Sequence, residues 1–524
     1  CNMKRLPIGI QTFSEIRNNG FLYVDKTARI ARLIGRGKYY FLSRPRRFGK
    51  SLLLSTVKEI FSGNRELFAG LQIDGQWDWQ VRHPVIHIGF SSLGYKTLGL
   101  ERALEICLDE QAAIHGIELV SSTYDRKFRE LIQSLQAAKG QVVILIDEYD
   151  KPLIDYLGSE IGQAIAHQQV LKGFYAVIKD ADPHIRFLLI TGVSKFSKVS
   201  LFSDLNNLHD LTLDTDFSDL LGYTQEELEE YFPPYYAKAI QKNDLEGEAT
   251  LLEKVRNGYN GYSWDGKTFV YNPFSTLSFF QTGDFRNYWF ETGTPSFLLQ
   301  LMKQENFYHL DRLKVNESSF SAYDIENIRL LPLLFQTGYL TIKERGSIRY
   351  ILDYPNKEVR ESMHQYILGE LMHEDPAFTT NAVLDLYDAL ADNDLPELID
   401  QIKALFARIP YEIFIANQEA YYHSLLYIAF QFLGIYTPVE VRTNRGRIDA
   451  VIHTPETIFL IEFKLDEPAA AAMTQIHERK YYEQFLTSAK EICLLGISFS
   501  SREKSVAEWV SERIAPRHRP PRTP

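Results

Sequence analysis

Cysteine is scarce: the 524 residues carry three, at positions 1, 107 and 493. Thiols so far apart form neither a disulfide framework nor a zinc knuckle, and they fit a reducing compartment. Long apolar runs are missing too. No stretch approaches the roughly 18 uninterrupted apolar residues of a membrane helix. The first residues, Cys1 to Arg5, lack the apolar core of a secretory signal. A cytoplasmic protein with no membrane partner is expected. Nor is there an excess of positive charge: 57 Lys and Arg face 68 Asp and Glu, a net −11. Proteins that coat nucleic acid are usually basic, so stoichiometric packaging is excluded. An enzyme acting on nucleic acid needs only a local basic channel and remains allowed.

Apolar residues make up 45% of the chain, with 33 Phe and 30 Tyr, enough for large cores. The length predicts about three domains of roughly 150 residues. Texture divides the chain at 1–235, 236–375 and 376–524. In the first region the continuous apolar runs Tyr39–Leu42, Val85–Ile88, Val142–Ile146 and Phe187–Ile190 alternate with helical patterns. This reads as an α/β domain, a buried parallel sheet with helices on both faces. The middle is rich in aromatics and turns. One hairpin is expected about Asp265-Gly266 and another between Tyr339–Ile342 and Ile348–Ile351. Asn356 is placed to cap a following helix, giving a helical, winged-helix-like lid. The last region opens after Pro410 with a helix ending near Gly434. Two strands, a helix and a strand at Ile492–Ile497 follow, a second, smaller α/β unit. The tail, Pro516 to Pro524, is rich in Pro and Arg and is expected to be disordered.

The run Tyr39–Leu42 leads into Ser43-Arg44-Pro45-Arg46-Arg47-Phe48-Gly49-Lys50-Ser51. A helix pattern follows, with Leu52, Leu53, Val57, Ile60 and Phe61 apolar and Gly63 as its stop. Strand, loop ending Gly-Lys-Ser and helix make a phosphate-binding loop. Gly49 lets the backbone approach phosphate oxygens, and the amides opening the helix point at the anion. Lys50 reaches the β- and γ-phosphates of ATP, and Ser51 offers a hydroxyl to Mg²⁺. Arg46 and Arg47 add charge beside the phosphates. Arg44 stands where the pattern's first glycine usually lies. An arginine finger is not identifiable; Arg44, Arg46 and Arg47 are its candidates. The plain alternative is a basic turn before a helix.

Val142–Ile146 ends in Asp147-Glu148, carboxylates delivered where α/β sheets bind ligands. Asp147 would join the Mg²⁺ shell and Glu148 would act as general base toward the attacking water. Beyond Ile185–Ile190, Thr191 is the candidate to sense the γ-phosphate. Acidic residues and turns also follow many buried strands for no catalytic reason.

In the C-terminal region, Arg447–His453 and Ile458–Lys464 read as two strands. Period-two alternation sends Glu462 and Lys464 to one face. With Thr454-Pro455-Glu456-Thr457 as the turn, Asp449 falls opposite Glu462, Cβ atoms roughly 4.5–5.5 Å apart. Facing carboxylates repel unless a cation neutralises them. Mg²⁺ on Asp449 and Glu462, or Mn²⁺ there, with Lys464 near the nucleophile or transition state, suits phosphodiester hydrolysis. Glu419 on the preceding helix is a further metal-ligand candidate, with His423 one turn away. Gln475, Arg479 and Tyr482 share a helical face and are read as contacts to a nucleic-acid backbone. The plain alternative is a charged pairing on a solvated hairpin.

Together these motifs resemble bacterial two-domain proteins with an AAA-ATPase-like N-terminal domain and a PD-(D/E)XK-superfamily nuclease domain. The resemblance spans nearly the whole chain. It rests on Tyr23-Val24-Asp25-Lys26-Thr27, the arginine-rich loop, Leu145–Asp150, Gly192–Phe196, Asn260-Gly261-Tyr262, Tyr271–Phe274, Gly446–Asp449 and Ile461–Lys464. It implies ATP and Mg²⁺ as cofactors, DNA or RNA as partner and a restriction-endonuclease-like C-terminal fold. Lys50, Ser51, Asp147 and Glu148 would serve the nucleotide; Asp449, Glu462 and Lys464 would serve the nuclease. The leading expectation is an ATP-regulated nuclease, with defence against foreign nucleic acid as one role it would serve. Its rivals are an NTPase switch whose nuclease-like domain binds without cutting, and a scaffold that ATP merely stabilises. An oligomer is compatible with all three.

Overall fold

The computed structural model describes residues 3–158, 160–195, 201–202, 205, 207–289, 296–305, 307–308, 310–320, 329–372, 376–408, 418–434, 439–441 and 449–515. The chain gathers into two compact units. One is Cys1–Leu298 with Leu310–Val359; the other is Leu299–His309 with Arg360–Pro524.

In the first unit five strands form one parallel sheet: β1 (Tyr39–Ser43), β2 (Val85–Gly89), β3 (Val142–Asp147), β4 (Ile185–Gly192) and β5 (His209–Asp210). Their order is β2-β3-β4-β1-β5. Every residue of β1 and β3 is buried, which is why these runs are apolar without alternation. Helix α1 (Lys50–Ser62) starts directly after Gly49, whose φ is 88°, and stops at Gly63, whose φ is 73°. Both are left-handed conformations that glycine adopts without strain. Leu53, Leu54, Val57, Ile60 and Phe61 of α1 pack with Tyr40, Leu42, Val143, Leu145, Phe187 and Leu189 of the sheet. This is the spacing of one helical stripe. Further helices α2 (Leu100–Ile114) and α3 (Tyr124–Lys139) flank the sheet. At the outer strand β2, the Gln111 side chain accepts from His87 N at 3.0 Å, and the His115 ring donates to Val85 O at 3.0 Å. Side chains thus cap an edge that would otherwise recruit another strand.

The helices Gln225–Tyr231, Pro233–Lys242, Glu248–Tyr259 and Pro273–Thr282 close around Phe232, Tyr235, Tyr236, Tyr259, Phe279 and Phe280. The hairpin expected at Asp265-Gly266 is reduced to the single bridge Tyr262↔Val270. The Asp265 carboxylate accepts from Lys267 N and Thr268 N at 2.8 and 2.7 Å. That local turn competes with ladder formation. The second hairpin forms as β7 (Thr341–Arg345) and β8 (Tyr350–Asp353), and β6 (Leu313–Val315) adds a third antiparallel strand beside β8. Asn356 Oδ1 accepts from Val359 N at 3.1 Å and caps the helix Lys357–Met372.

The second unit holds α4 (Gln418–Leu433) and a mixed sheet ordered β13-β12-β11-β10-β9. Its strands are β9 (Val439–Val441), β10 (Ala450–His453), β11 (Thr457–Leu465), β12 (Glu491–Ser500) and β13 (Ser505–Ile514). The one parallel pairing, β11 with β12, is bridged by α5 (Ala469–Arg479), the crossover that parallel strands require. Gly496 pairs with Glu462 across these strands. A Cβ on Gly496 would sit 2.8 Å from Ala469 O and 3.0 Å from Ala472 Cβ, so glycine lets α5 lie close to the sheet at the level of Glu462. Gly496→Val is expected to lift α5 and destabilise the chain by about 1–3 kcal/mol, read as a lower urea midpoint at unchanged slope.

Candidate active sites

The loop between β1 and α1 is shaped by its own side chains. Lys50 is buried, and its ammonium donates to Arg44 O at 2.9 Å and Pro45 O at 2.8 Å. Burial pushes the Lys50 pKa down, while Asp147, Glu148 and Asp150 oppose that shift. Ser51 follows at the helix start, half-buried. The structure corrects one reading here. Arg44, a finger candidate, is fully buried. Its guanidinium donates to Ser43 O and Thr212 O at 2.9 and 3.0 Å and lies 3.9 Å from the Trp264 ring centroid. Desolvation pulls its pKa down to about 9, with Asp210 and Asp265 restraining the fall. It is an internal brace that a γ-phosphate cannot reach. Arg46 and Arg47 are exposed. Arg47 takes φ 65° and lies over Phe274, its guanidinium 4.9 Å from the ring centroid.

Aromatic side chains fasten this loop from outside. Phe48 meets Tyr262 and Trp264 edge-on at 4.8 and 5.5 Å, and Trp289 Nε1 donates to Arg46 O at 3.0 Å. The sequence reading missed these contacts, because nothing local links residue 48 to residues 262–289.

Across the sheet, Asp147 closes β3 and Glu148 turns the chain at φ 54°, a conformation uncommon for a residue with a side chain and found at functional sites. Thr191 Oγ1 is buried and donates to Asp147 Oδ1 at 2.7 Å. Its hydroxyl is therefore committed to orienting that carboxylate. Asp150, also missed, is fully buried. Its carboxylate accepts from Val193 N at 3.0 Å and from Ser194 N and Oγ at 2.7 Å each. Burial raises its pKa against those bonds. It ties the end of β3 to the end of β4. Gly192 allows the approach, since a Cβ there would come within 2.5 Å of the Tyr149 ring and 2.9 Å of Asp150 Oδ1. Lys195 pairs with Asp210 at 2.9 Å.

In the second unit Thr454 N donates to Thr457 O at 2.9 Å, closing the turn. The pairs Ala450↔Ile461 and His453↔Ile458 carry the register that sets Asp449 opposite Glu462. The Asp449 side chain then takes over the ladder: Phe463 N donates to its Oδ2 at 2.8 Å. Glu462 is 2% exposed. Its Oε1 accepts from Gln475 Nε2 and lies 3.9 Å from Lys464 Nζ, while Lys464 donates to Gln475 Oε1 at 2.6 Å. Its Oε2 is buried and has no hydrogen-bond partner among the described residues. Burial first, then the Asp449 charge, raises the Glu462 pKa to about 8; Lys464 and Gln475 pull the other way. A buried oxygen without a partner, beside a second carboxylate, is chemically suited to a cation. The described residues include no group of three metal-type side chains. Glu419 and His423 lie on α4, but their side chains fall outside the described residues, as do Arg447 and Ile448. Gln475 corrects another expectation: it bridges Glu462 and Lys464 and is not spare for a nucleic-acid backbone. Helix α5 ends at Arg479 and is capped by Lys480 at φ 54°, so Tyr482 is not on the helical face assigned to it.

A parallel sheet with a Gly-Lys-Ser loop after β1 and a carboxylate–lysine hairpin on a mixed sheet define a two-part α/β protein. Residues 7–202 match the family described as "Predicted AAA-ATPase", and residues 417–509 match the "PD-(D/E)XK nuclease superfamily". A protein of Azotobacter chroococcum mcd 1, described as "Uncharacterized protein in vnfD 5'region", is 42% identical over 529 residues, covering 98% of this chain and 99% of that one. The chain belongs to this family, which joins an AAA-ATPase-like domain to a PD-(D/E)XK nuclease-like domain. No solved structure matches.

A carboxylate whose folded pKa is raised binds more protons folded than unfolded. Its contribution to stability therefore falls as pH climbs from its ordinary value near 4.5 toward about 8. With chelator present, the full chain is expected to lose thermal stability over that window, and Glu462→Gln to flatten the slope. A Glu462→Gln profile parallel to wild type would contradict the assignment.

Proposed function

We propose that the chain binds MgATP in the β1–α1 loop, hydrolyses it, and cuts phosphodiesters of DNA or RNA in its C-terminal domain with a divalent metal. In this reading Lys50 leaves the loop carbonyls for the phosphates, and Ser51 and Asp147 hold Mg²⁺, with Thr191 fixing Asp147. Glu148 takes the proton of the attacking water. A small apolar cavity beside Gly49 and Leu52, walled also by Tyr23, Val24, Leu221 and Tyr223, suits the base. In the nuclease-like domain Asp449 and Glu462 would hold Mg²⁺ or Mn²⁺, which supplies Lewis acidity and an activated water. Lys464 stands to neutralise charge developing on the phosphate, and Gln475 aligns Lys464 with Glu462. The single observation that carries the nuclease reading is the buried, unpartnered Glu462 Oε2 set against Asp449 and Lys464. The described helices include none long and apolar enough to cross a membrane, in keeping with a cytoplasmic bacterial enzyme. Defence against foreign nucleic acid is one role such a pairing would serve.

A specific observation favours a second reading. Gln475 already bridges Glu462 and Lys464. If it does not yield to a metal, the domain binds nucleic acid without cutting, and ATP drives a switch.

The test incubates the full chain with linear, circular and single-stranded substrates, with Mg²⁺ or Mn²⁺, with and without ATP. Lys50→Ala is expected to remove ATP turnover. Thr191→Val should lower it roughly 10–100-fold, the usual effect of losing a partner that orients a metal ligand. Asp449→Ala and Lys464→Ala should each lower cleavage by ~10²-fold or more. Cleavage that persists in Asp449→Ala sinks the nuclease reading; no cleavage of any substrate by wild type leaves the second reading standing.

A further inference from the structure

The sheet of the first unit carries the nucleotide loop where its strands finish; a different concavity lies where β2 begins. It measures about 520 Å³ and is lined by the cations of Lys58, Arg82 and Lys139 and the imidazoles of His83, His87 and His115. Among the described residues no Asp or Glu lines it, in a chain whose net charge is −11. From this geometry we infer a second anion site, for a small ligand bearing a terminal phosphate or pyrophosphate.

Several elements converge there. Lys58 and Ser62 come from the far end of α1, Gln111 and His115 from α2 and its C-cap, Lys139 from the last turn of α3, and Arg82 and His83 from the segment entering β2. Three fixed positive charges around one hollow exceed what a single carboxylate would balance, and they match a phosphate dianion or pyrophosphate. The imidazoles are held in place. His83 Nδ1 donates to Gln141 O at 2.9 Å, and His115 Nε2 donates to Val85 O. His87 Nε2 is buried with no hydrogen-bond partner among the described residues. Burial holds the His83 and His87 pKa values below the ordinary histidine value. A concavity of this volume is the size of small-ligand pockets, whereas a duplex needs an extended basic stripe. Lysines near helix C-termini also answer the helix dipole, and Lys139 donates to His115 O at 3.1 Å. Dipole capping alone explains neither Arg82 nor the buried, unpaired ring nitrogen of His87. Lys58 lies on the helix that opens with Lys50, about 12 Å along its axis, so the hollow is separate from the β1–α1 loop.

Calorimetric titration with inorganic pyrophosphate tests the site in the full chain carrying Lys50→Ala, which silences the nucleotide loop. The result is then independent of the proposed ATPase activity. Pyrophosphate is expected to bind this chain. Lys58→Gln and Arg82→Gln, both at exposed positions, should each weaken it by roughly tenfold or more. Lys58→Arg should stay within about threefold, because the charge is kept. ADP should compete with pyrophosphate and adenosine should not. No binding in the Lys50→Ala chain overturns the proposal, as does binding that Lys58→Gln and Arg82→Gln leave unmoved, or competition by adenosine.

Discussion

The interior of a buried strand satisfies its backbone through its neighbours and leaves no room for an unpaired charge. Ionised groups therefore gather where strands run out. Strand β3 is buried from Val142 to Asp147, and Glu148 then leaves it in a left-handed turn. Asp147, Thr191 and Asp150 meet there because β3 and β4 end side by side. The nuclease-like hairpin follows the rule with one exception. Asp449 stands just outside β10, where its carboxylate takes a backbone N–H the ladder no longer uses. Glu462 lies inside β11 and is buried. Burial at that position pushes the Glu462 pKa up.

The loop between β1 and α1 obeys a second constraint. Its basic residues do not all face solvent as a phosphate clamp: Arg46 and Arg47 are exposed, whereas Arg44 and Lys50 are buried. Arg44 turns inward to brace carbonyls of Ser43 and Thr212 under the Trp264 ring. Phe48 and the carbonyl of Arg46 are held by Tyr262, Trp264 and Trp289. Segments far along the chain thereby set the loop's shape. Arg44 in place of a glycine follows from this: the position is a packing site, and a bare glycine would leave the Trp264 face and two carbonyls without a partner.

What could be read from the residues alone was what short-range physics determines. Unbroken apolar runs marked the parallel strands, Gly63 marked the end of α1, and Asn356 marked a helix start. The turn at Thr454–Thr457 with period-two alternation was enough to set Asp449 against Glu462. What could not be read depends on tertiary packing. Gln475 faces Glu462 because Gly496, across the parallel pair, lets α5 come close, and no local pattern carries that. Asp150 looked like one more acidic residue after a strand until β4 supplied its donors. The Asp265 turn lost its hairpin because an aspartate side chain competes for the same amides. Strand β9 is three residues long, and β13 is a mostly exposed strand of mixed polarity, so neither carries an apolar signature.

The two carboxylates and the lysine also fix what the hairpin does with charge. Asp449 and Glu462 fully ionised carry two negative charges against the one positive charge of Lys464, whose ammonium stands 3.9 Å from Glu462 and is shared with Gln475. Burial and the neighbouring Asp449 charge both favour the protonated form of Glu462, and the single charge of Lys464 only partly offsets them. A divalent cation bound there, as proposed, would supply positive charge in place of that proton, and the two would compete for the same oxygen. Raising the pH removes the competitor, so affinity for the cation should climb across the range in which Glu462 titrates. The amide of Gln475 is suited to that exchange: uncharged, it can release Glu462 to the metal while keeping its bond to Lys464, which leaves the lysine aimed at the same place with or without the ion.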